Sequence, residues 1–186
     1  MRDPRECDGF HPSWNSFAWL LRWALEQFPS ETVRYLEWGA GWSTTYVLTG
    51  IRPANVYSVE DTREWFDRYK NLGIHISLKI GPERGNHDAV PPTEWIDPFP
   101  QAGPFNVVLV DGHARRDECV VRAAELISHD GFVIVHDTWH AAAHRRAAQR
   151  GIDAGLKLLV DVQAAPGTML LCRHDHHPVV ERLVLG

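Results

Sequence analysis

The sequence predicts an α/β fold: a doubly wound, mostly parallel, seven-stranded sheet of Rossmann-like type that ends in an antiparallel C-terminal hairpin. Three observations predict it. Short apolar runs alternate with stretches of helical periodicity along most of the 186 residues. The run at residues 105–111 contains Val107, Val108, Leu109 and Val110 in succession, the pattern of a parallel strand covered on both faces. The last two apolar runs, residues 156–162 and 168–173, are joined through Ala-Ala-Pro-Gly, a turn too short for a crossover helix, so that pair must be antiparallel.

The elements follow in order. The first ten residues are charged and carry Pro and Gly, so they are expected to fray. Pro12 and Ser13 open a helix that runs to about Phe28, with Ser13 as candidate N-cap; Trp14, Phe17, Leu20, Leu21, Leu25 and Phe28 are its apolar positions. Residues 1–30 thus form a helical cap on the domain. Residues 33–37 read as the first strand and 43–49 as the helix after it. Residues 56–60 are the second strand, 62–72 the second helix of the series and 74–80 the third strand. Residues 81–104 are rich in Pro and Gly and lack periodicity, so they read as one long lid-like loop anchored by Trp95, Ile96 and Phe99. A strand at 105–111, a helix at 115–128, a strand at 131–137 and a helix at 139–150 lead to the hairpin. The whole chain, residues 1–186, is expected to be a single domain.

Between the first strand and its helix lies Glu37-Trp38-Gly39-Ala40-Gly41-Trp42-Ser43. Strand, glycine turn and helix let a backbone approach a nucleotide-like ligand, because the glycines carry no Cβ and the first amides of the helix face the ligand. Glu60 ends the next strand, about where a carboxylate can take a ribose diol. A dinucleotide turn wants a third glycine three residues after Gly41, and that position is Thr44. A ligand with a ribose but no pyrophosphate is favoured, and a nicotinamide oxidoreductase is disfavoured for the same reason.

Composition excludes other classes. Hydrophobic residues make up 44% and charged residues 23%, and the formal charge of -5 leaves no basic stripe for nucleic acid or membrane binding. No apolar run approaches the length of a membrane span. The three cysteines, Cys7, Cys119 and Cys172, are far apart and form no CxxC pair, which predicts a reduced, cytoplasmic setting. Trp14, Trp19 and Trp23 fit a substrate mouth, a homodimer contact or simple core packing.

The chemistry is expected at the carboxyl ends of the strands, where ligands of such sheets bind. Four acidic residues end four strands: Glu37, Glu60, Asp111 and Asp137. The strands ending in Val110-Asp111-Gly112-His113 and Val135-His136-Asp137-Thr138 are neighbours in the doubly wound order, so Asp111 and Asp137 should converge. Two converging carboxylates suit a divalent cation with oxygen ligands, or they act directly with His113 and His136 as proton acceptors. The simpler alternative is that each Asp caps the helix after it. Arg115 and Arg116 could hold an anionic substrate group or face solvent in the first turn of a helix. His140 and His144 are four apart on a predicted helix, most simply a solvated face, and His174, His176 and His177 read as surface residues.

The stretch Leu36-Glu37-Trp38-Gly39-Ala40-Gly41-Trp42-Ser43-Thr44 resembles the first motif of class I S-adenosylmethionine-dependent methyltransferases, and the likeness runs over residues 33–173. The resemblance implies S-adenosylmethionine as cofactor, with Glu37 near its amino-acid end, the turn of Gly39, Ala40, Gly41, Ser43 and Thr44 beneath it, and Glu60 with Asp61 at the ribose; Asp111 borders it from the neighbouring strand. Asp111 and Asp137 are also similar in placement to the metal-dependent catechol and caffeoyl-coenzyme A O-methyltransferases, which implies Mg2+ or another divalent cation held by Asp111, Asp137 and the residue at Thr138. Those enzymes have Asn where this chain has Thr138, and the basic residue they place after the first Asp has no lysine counterpart here. The expected activity is methylation of a hydroxyl on a small-molecule acceptor, a sugar, a phenol or a natural-product intermediate, with Asp111, His113, His136 and Asp137 facing that acceptor. Two alternatives keep the fold: aminopropyl transfer or cyclisation with the same cofactor, and a non-catalytic cofactor-binding module.

Overall fold

The computed structural model describes residues 1–79, 92–112, 115–139 and 142–173. His113, His140, the histidines at 174, 176 and 177, Ile80 and residues 81–91 of the long loop lie outside the described residues.

Seven strands form one sheet in the order β3-β2-β1-β4-β5-β7-β6. They are β1 (Tyr35–Trp38), β2 (Val56–Glu60), β3 (His75–Leu78), β4 (Phe105–Val110), β5 (Ile127–His136), β6 (Lys157–Val162) and β7 (Thr168–Cys172). The helices are α1 (Asn15–Glu26), α2 (Trp42–Val47), α3 (Arg63–Tyr69), α4 (Pro92–Ile96), α5 (Arg116–Leu126) and α6 (Ala142–Asp153). The predicted hairpin is present: β7 runs antiparallel to both β5 and β6 and lies between them. The other pairings are parallel, and the order reverses at β1, which pairs with β2 on one side and β4 on the other. That reversal opens a crevice at the carboxyl ends of β1 and β4.

Alternation along the central strands divides the core in two. Val107, Leu109, Phe132 and Ile134 face one side and pack with Phe17, Leu21 and Leu25 of α1 and Tyr46 of α2. Val108, Val110, Val133 and Val135 face the other side and pack with Cys119, Val120 and Ala123 of α5 and Ala147 of α6. Both faces are covered, which is why these strands read as unbroken apolar runs rather than as an alternating pattern. The three cysteines are buried and form no disulfide. Among the described residues no helix is long and apolar enough to cross a membrane.

Several boundaries differ from expectation. Ser13 does not cap α1: it sits inside a short 3-10 turn, Pro12–Trp14, whose cap is His11, and α1 follows directly from Trp14. β5 begins four residues before its predicted start, because Ile127 pairs with Phe105 ahead of an irregularity in the ladder. The loop at 81–104 contains α4, and Trp95 in it is fully buried, with its carbonyl accepting the indole N–H of Trp38 at 3.1 Å. Phe99 packs edge-on against Tyr57. The anchors are therefore as read, but they tie residues 92–104 to the core.

Candidate functional site

The site is built from the glycine turn outward. Gly39 has φ +99, in the left-handed region, and a Cβ there would come within 2.8 Å of the Gly112 amide nitrogen. The turns after β1 and β4 thus pack backbone to backbone, and this contact brings Asp111 beside the glycine turn. Gly41 is different: its φ is -179, ordinary extended backbone, and a Cβ there would meet nothing within 4 Å. Its missing side chain leaves open space at the start of α2.

Two carboxylates brace the turn from inside. Glu37 is fully buried; its Oε2 accepts from the Tyr35 hydroxyl at 2.9 Å and the Ser43 hydroxyl at 2.7 Å, and its Oε1 accepts from the Thr44 hydroxyl. The Thr44 oxygen in turn accepts the Gly41 N–H at 3.0 Å, so a side chain in the first turn of α2 satisfies an amide that the helix leaves open. Burial raises the Glu37 carboxyl to about 7, against the opposing pull of its hydroxyl donors. Glu60 accepts the Ala40 N–H at 2.7 Å on one oxygen and the Thr62 N–H at 2.7 Å on the other. Burial likewise raises Glu60 to about 7. Each Glu60 oxygen keeps a second acceptor direction.

A cavity of about 330 Å³ opens over this turn. Gly39, Ala40, Gly41, Ser43, Glu60 and Asp61 form one wall, and Asp111, Gly112, His136 and Asp137 form another. Gly9, Trp14 and Phe17 close it from the N-terminal segment, with Trp42 and Trp65 alongside. Glu37 and Thr44 do not line it; they lie beneath, bonded to each other. Among the described residues none of 92–104 lines it either, so the lid-like role expected for the long loop finds no support in that part.

No protein-family model matches the chain, and no curated protein matches it in sequence. Solved structures do match. A methyltransferase-like protein from Silicibacter pomeroyi superimposes with a TM-score of 0.61 at 18% identity, covering 96% of this chain and 95% of that one. A TehB-like SAM-dependent methyltransferase from Corynebacterium glutamicum gives a TM-score of 0.54 at 11% identity, over 86% of this chain and 98% of that one. MycE methyltransferase from the mycinamycin biosynthetic pathway, in complex with Mg and SAH, gives 0.57 at 12% identity, over 92% of this chain and 49% of that one. This is the S-adenosylmethionine-dependent methyltransferase fold. At such identities the likeness is one of architecture, and the residues must speak for themselves.

In this methyltransferase fold the ends of β4 and β5 carry the second half of the site. Asp111 and Asp137 do converge, and Asp111 does not cap α5, whose cap is Arg115. Asp137 has φ 58, a strained conformation for a residue with a side chain and one that Asp tolerates better than most. His136 is buried, its ring stacked on Phe17 with centroids 4.1 Å apart. Its Nδ1 lies 3.1 Å from Asp111 Oδ1 and 3.7 Å from Asp137 Oδ1, and its Nε2 is buried with no hydrogen-bond partner among the described residues. Thr138 stands apart from the carboxylates: its N–H donates to the Gly167 carbonyl at 3.2 Å, and its side chain lies against that turn rather than on the cavity wall.

Arg116 explains how the two strand ends are held. It is buried, and its guanidinium donates to the carbonyls of Gly112 at 2.6 Å, of Asp111 at 2.8 Å and of His136. The same Nη2 is 3.4 Å from Asp111 Oδ1 and 3.6 Å from Asp137 Oδ2. Neither role expected for Arg116, substrate clamp or solvent-facing first turn, matches this placement. Phe17 and Gly112 were not legible as parts of the site, and Arg116 was legible only as a possible substrate clamp, since their positions become meaningful only after the turns pack.

The donor set must also be weighed against a divalent cation. Asp111, His136 and Asp137 offer ligand atoms within 4.8 Å of one another, a compact set. The spacing fits a metal, and Arg116 offsets only part of the charge: one guanidinium beside two carboxylates leaves a net negative charge that a divalent cation held by Asp111, His136 and Asp137 would balance. The cofactor cradle does fit its group: open space over Gly41, a carboxylate at the end of β2, and a wall of aromatic rings.

Proposed function

We propose that the protein is an S-adenosylmethionine-dependent methyltransferase that methylates a hydroxyl of a small molecule. The observation that carries this reading is that a single cavity is walled on one side by the glycine turn and Glu60, and on the other by the paired carboxylates Asp111 and Asp137. Cofactor and acceptor groups can therefore meet in one enclosed space. The solved structures of like fold, described as methyltransferases, support the cofactor class.

The cofactor, when bound, supplies an electrophilic methyl on a sulfonium. The chain supplies the rest. Gly41 and Ala40 let the ligand lie against backbone, and Glu60 accepts hydrogen bonds from a ribose diol while still bracing Ala40. Trp14, Phe17 and Trp42 exclude water from the far wall. Asp111 and Asp137, each partly exposed to the cavity, accept the acceptor hydroxyl as a hydrogen bond and take its proton as the oxygen attacks. His136 lines the cavity, and its Nδ1 beside Asp111 fixes the orientation of that carboxylate. Alignment of oxygen and methyl carbon is the main catalytic contribution. A divalent cation, if held by Asp111, His136 and Asp137, would lower the pKa of the acceptor hydroxyl; without one the carboxylates take the proton themselves.

Isothermal titration calorimetry with S-adenosylhomocysteine tests the cofactor half, and mass spectrometry of a panel of hydroxyl compounds tests the reaction. Binding together with a product heavier by one methylene supports methylation. Release of methylthioadenosine points instead to aminopropyl transfer, and binding with no turnover on any acceptor points to a binding module. No binding at all removes the reading.

A further inference from the structure

Outside the cofactor cavity, a second concavity of about 380 Å³ lies between the N-terminal turns of α5 and α6. Arg115, Arg116, Asp117, His144, Arg146 and Arg150 line it, a concentration of arginines in a chain whose net charge is -5.

Arg116 turns inward to Asp111 and Asp137. Arg115 lies 3.1 Å from Glu118, and Arg150 lies 3.4 Å from Asp117 in a solvent-exposed pair of the kind that contributes little. Arg146 has no ion-pair or hydrogen-bond partner among the described residues. Arg146 and Arg150 are four apart on α6 and project from one face of it. Arg115 is held in the left-handed region at φ 47, and its Nε is buried without a hydrogen-bond partner among the described residues. A strained, under-satisfied arginine on a cavity wall is the arrangement of a site that awaits an acceptor of hydrogen bonds.

The concavity adjoins the acceptor side of the cofactor cavity, and two residues stand between them. Arg116 lines it and touches both acceptor carboxylates. His144 lines it and its Nδ1 lies 3.1 Å from the Asp137 carbonyl. We propose that this is an anion subsite, and that the acceptor carries a phosphoryl group held by Arg115, Arg146 and Arg150 while its hydroxyl meets Asp111 and Asp137. Guanidinium forks match the oxygens of a phosphoryl group, and Arg146 brings a charge that no acid among the described residues offsets. The assignment of this group to the acceptor rests on the methyltransferase reading; the subsite itself does not.

Calorimetry with inorganic phosphate at constant ionic strength tests the subsite on the full chain. Saturable binding is expected, weakened at least tenfold, roughly, in the Arg146→Gln/Arg150→Gln double variant, with acetate binding much more weakly than phosphate. Both arginines are exposed on α6, so the double variant should keep its melting temperature and its affinity for S-adenosylhomocysteine. No saturable binding, equal binding by the double variant, or acetate as good as phosphate each overturns the assignment. Phosphate binding without S-adenosylhomocysteine binding leaves the subsite standing and removes the methyltransferase reading; the reverse result does the opposite. In a turnover screen, phosphorylated hydroxyl compounds should be preferred over their neutral counterparts and inhibited by inorganic phosphate, and a preference for neutral acceptors would overturn the link to the acceptor.

Discussion

The hydroxyl of Thr44 stands between the Gly41 amide and the Glu37 carboxylate, accepting from one at 3.0 Å and donating to the other. A residue that draws notice in the sequence only because it is not glycine thus connects the ligand turn to a buried acid. The connection has a pH signature. In the unfolded chain the Glu37 carboxyl ionises near 4.5, whereas in the fold it ionises at about 7.

Between those two values the folded chain binds a proton that the unfolded chain has released. Stability should therefore fall as pH rises across this window, by up to about 3 kcal/mol from Glu37, and level off above it. Glu60 is shifted in the same direction and adds to the slope. Urea denaturation from about pH 5 to about pH 8 reads it. Glu37→Gln should flatten the profile; an unchanged slope in that variant would show that Glu37 is not the titrating group.

The two glycines of the turn should respond differently. Gly39→Ala places a methyl against the Gly112 backbone at a positive φ, and should cost about 2 to 4 kcal/mol. Gly41→Ala meets nothing in the fold and should change stability by less than about 1 kcal/mol, yet weaken S-adenosylhomocysteine binding roughly tenfold by intruding on the cavity. Equal effects of the two variants on stability would contradict the geometry.

The paired carboxylates should govern turnover. Asp111→Asn and Asp137→Asn should each lower kcat by about 10² to 10⁴ while leaving S-adenosylhomocysteine affinity within about tenfold. Chelation with EDTA decides whether a metal shares their work: turnover kept within about twofold leaves the carboxylates acting alone. Loss of activity on chelation, restored by magnesium, would instead give Asp111, His136 and Asp137 the role of ligands.

Arg116 should prove structural as well as electrostatic. Its fork spans carbonyls on both strand ends, a geometry a lysine ammonium cannot reproduce. Arg116→Lys should cost about 3 kcal/mol of stability by leaving buried carbonyls and carboxylates without partners. A variant as stable as the parent would mean that water replaces the clasp.

Much of the architecture was legible because it rests on local rules. Unbroken apolar runs, the Pro-Gly turn between β6 and β7, and the glycine turn after β1 each reflect short-range sterics or burial that one segment specifies alone. The four strand-end carboxylates were legible for the same reason, since a parallel sheet places all such ends on one edge. Their roles were not. Glu37 and Thr44 lie beneath the cavity because β1 is covered on both faces, and the inward path of Arg116 exists only once the ends of β4 and β5 are side by side. Phe17 enters the site from a helix remote in sequence, by stacking on His136. The sequence by itself determined the sheet, its turn chemistry and the edge where ligands bind. Only the tertiary structure decided which acids face the cavity, which are buried as braces, and which cation stands beside them, because those outcomes depend on contacts between segments far apart in the chain.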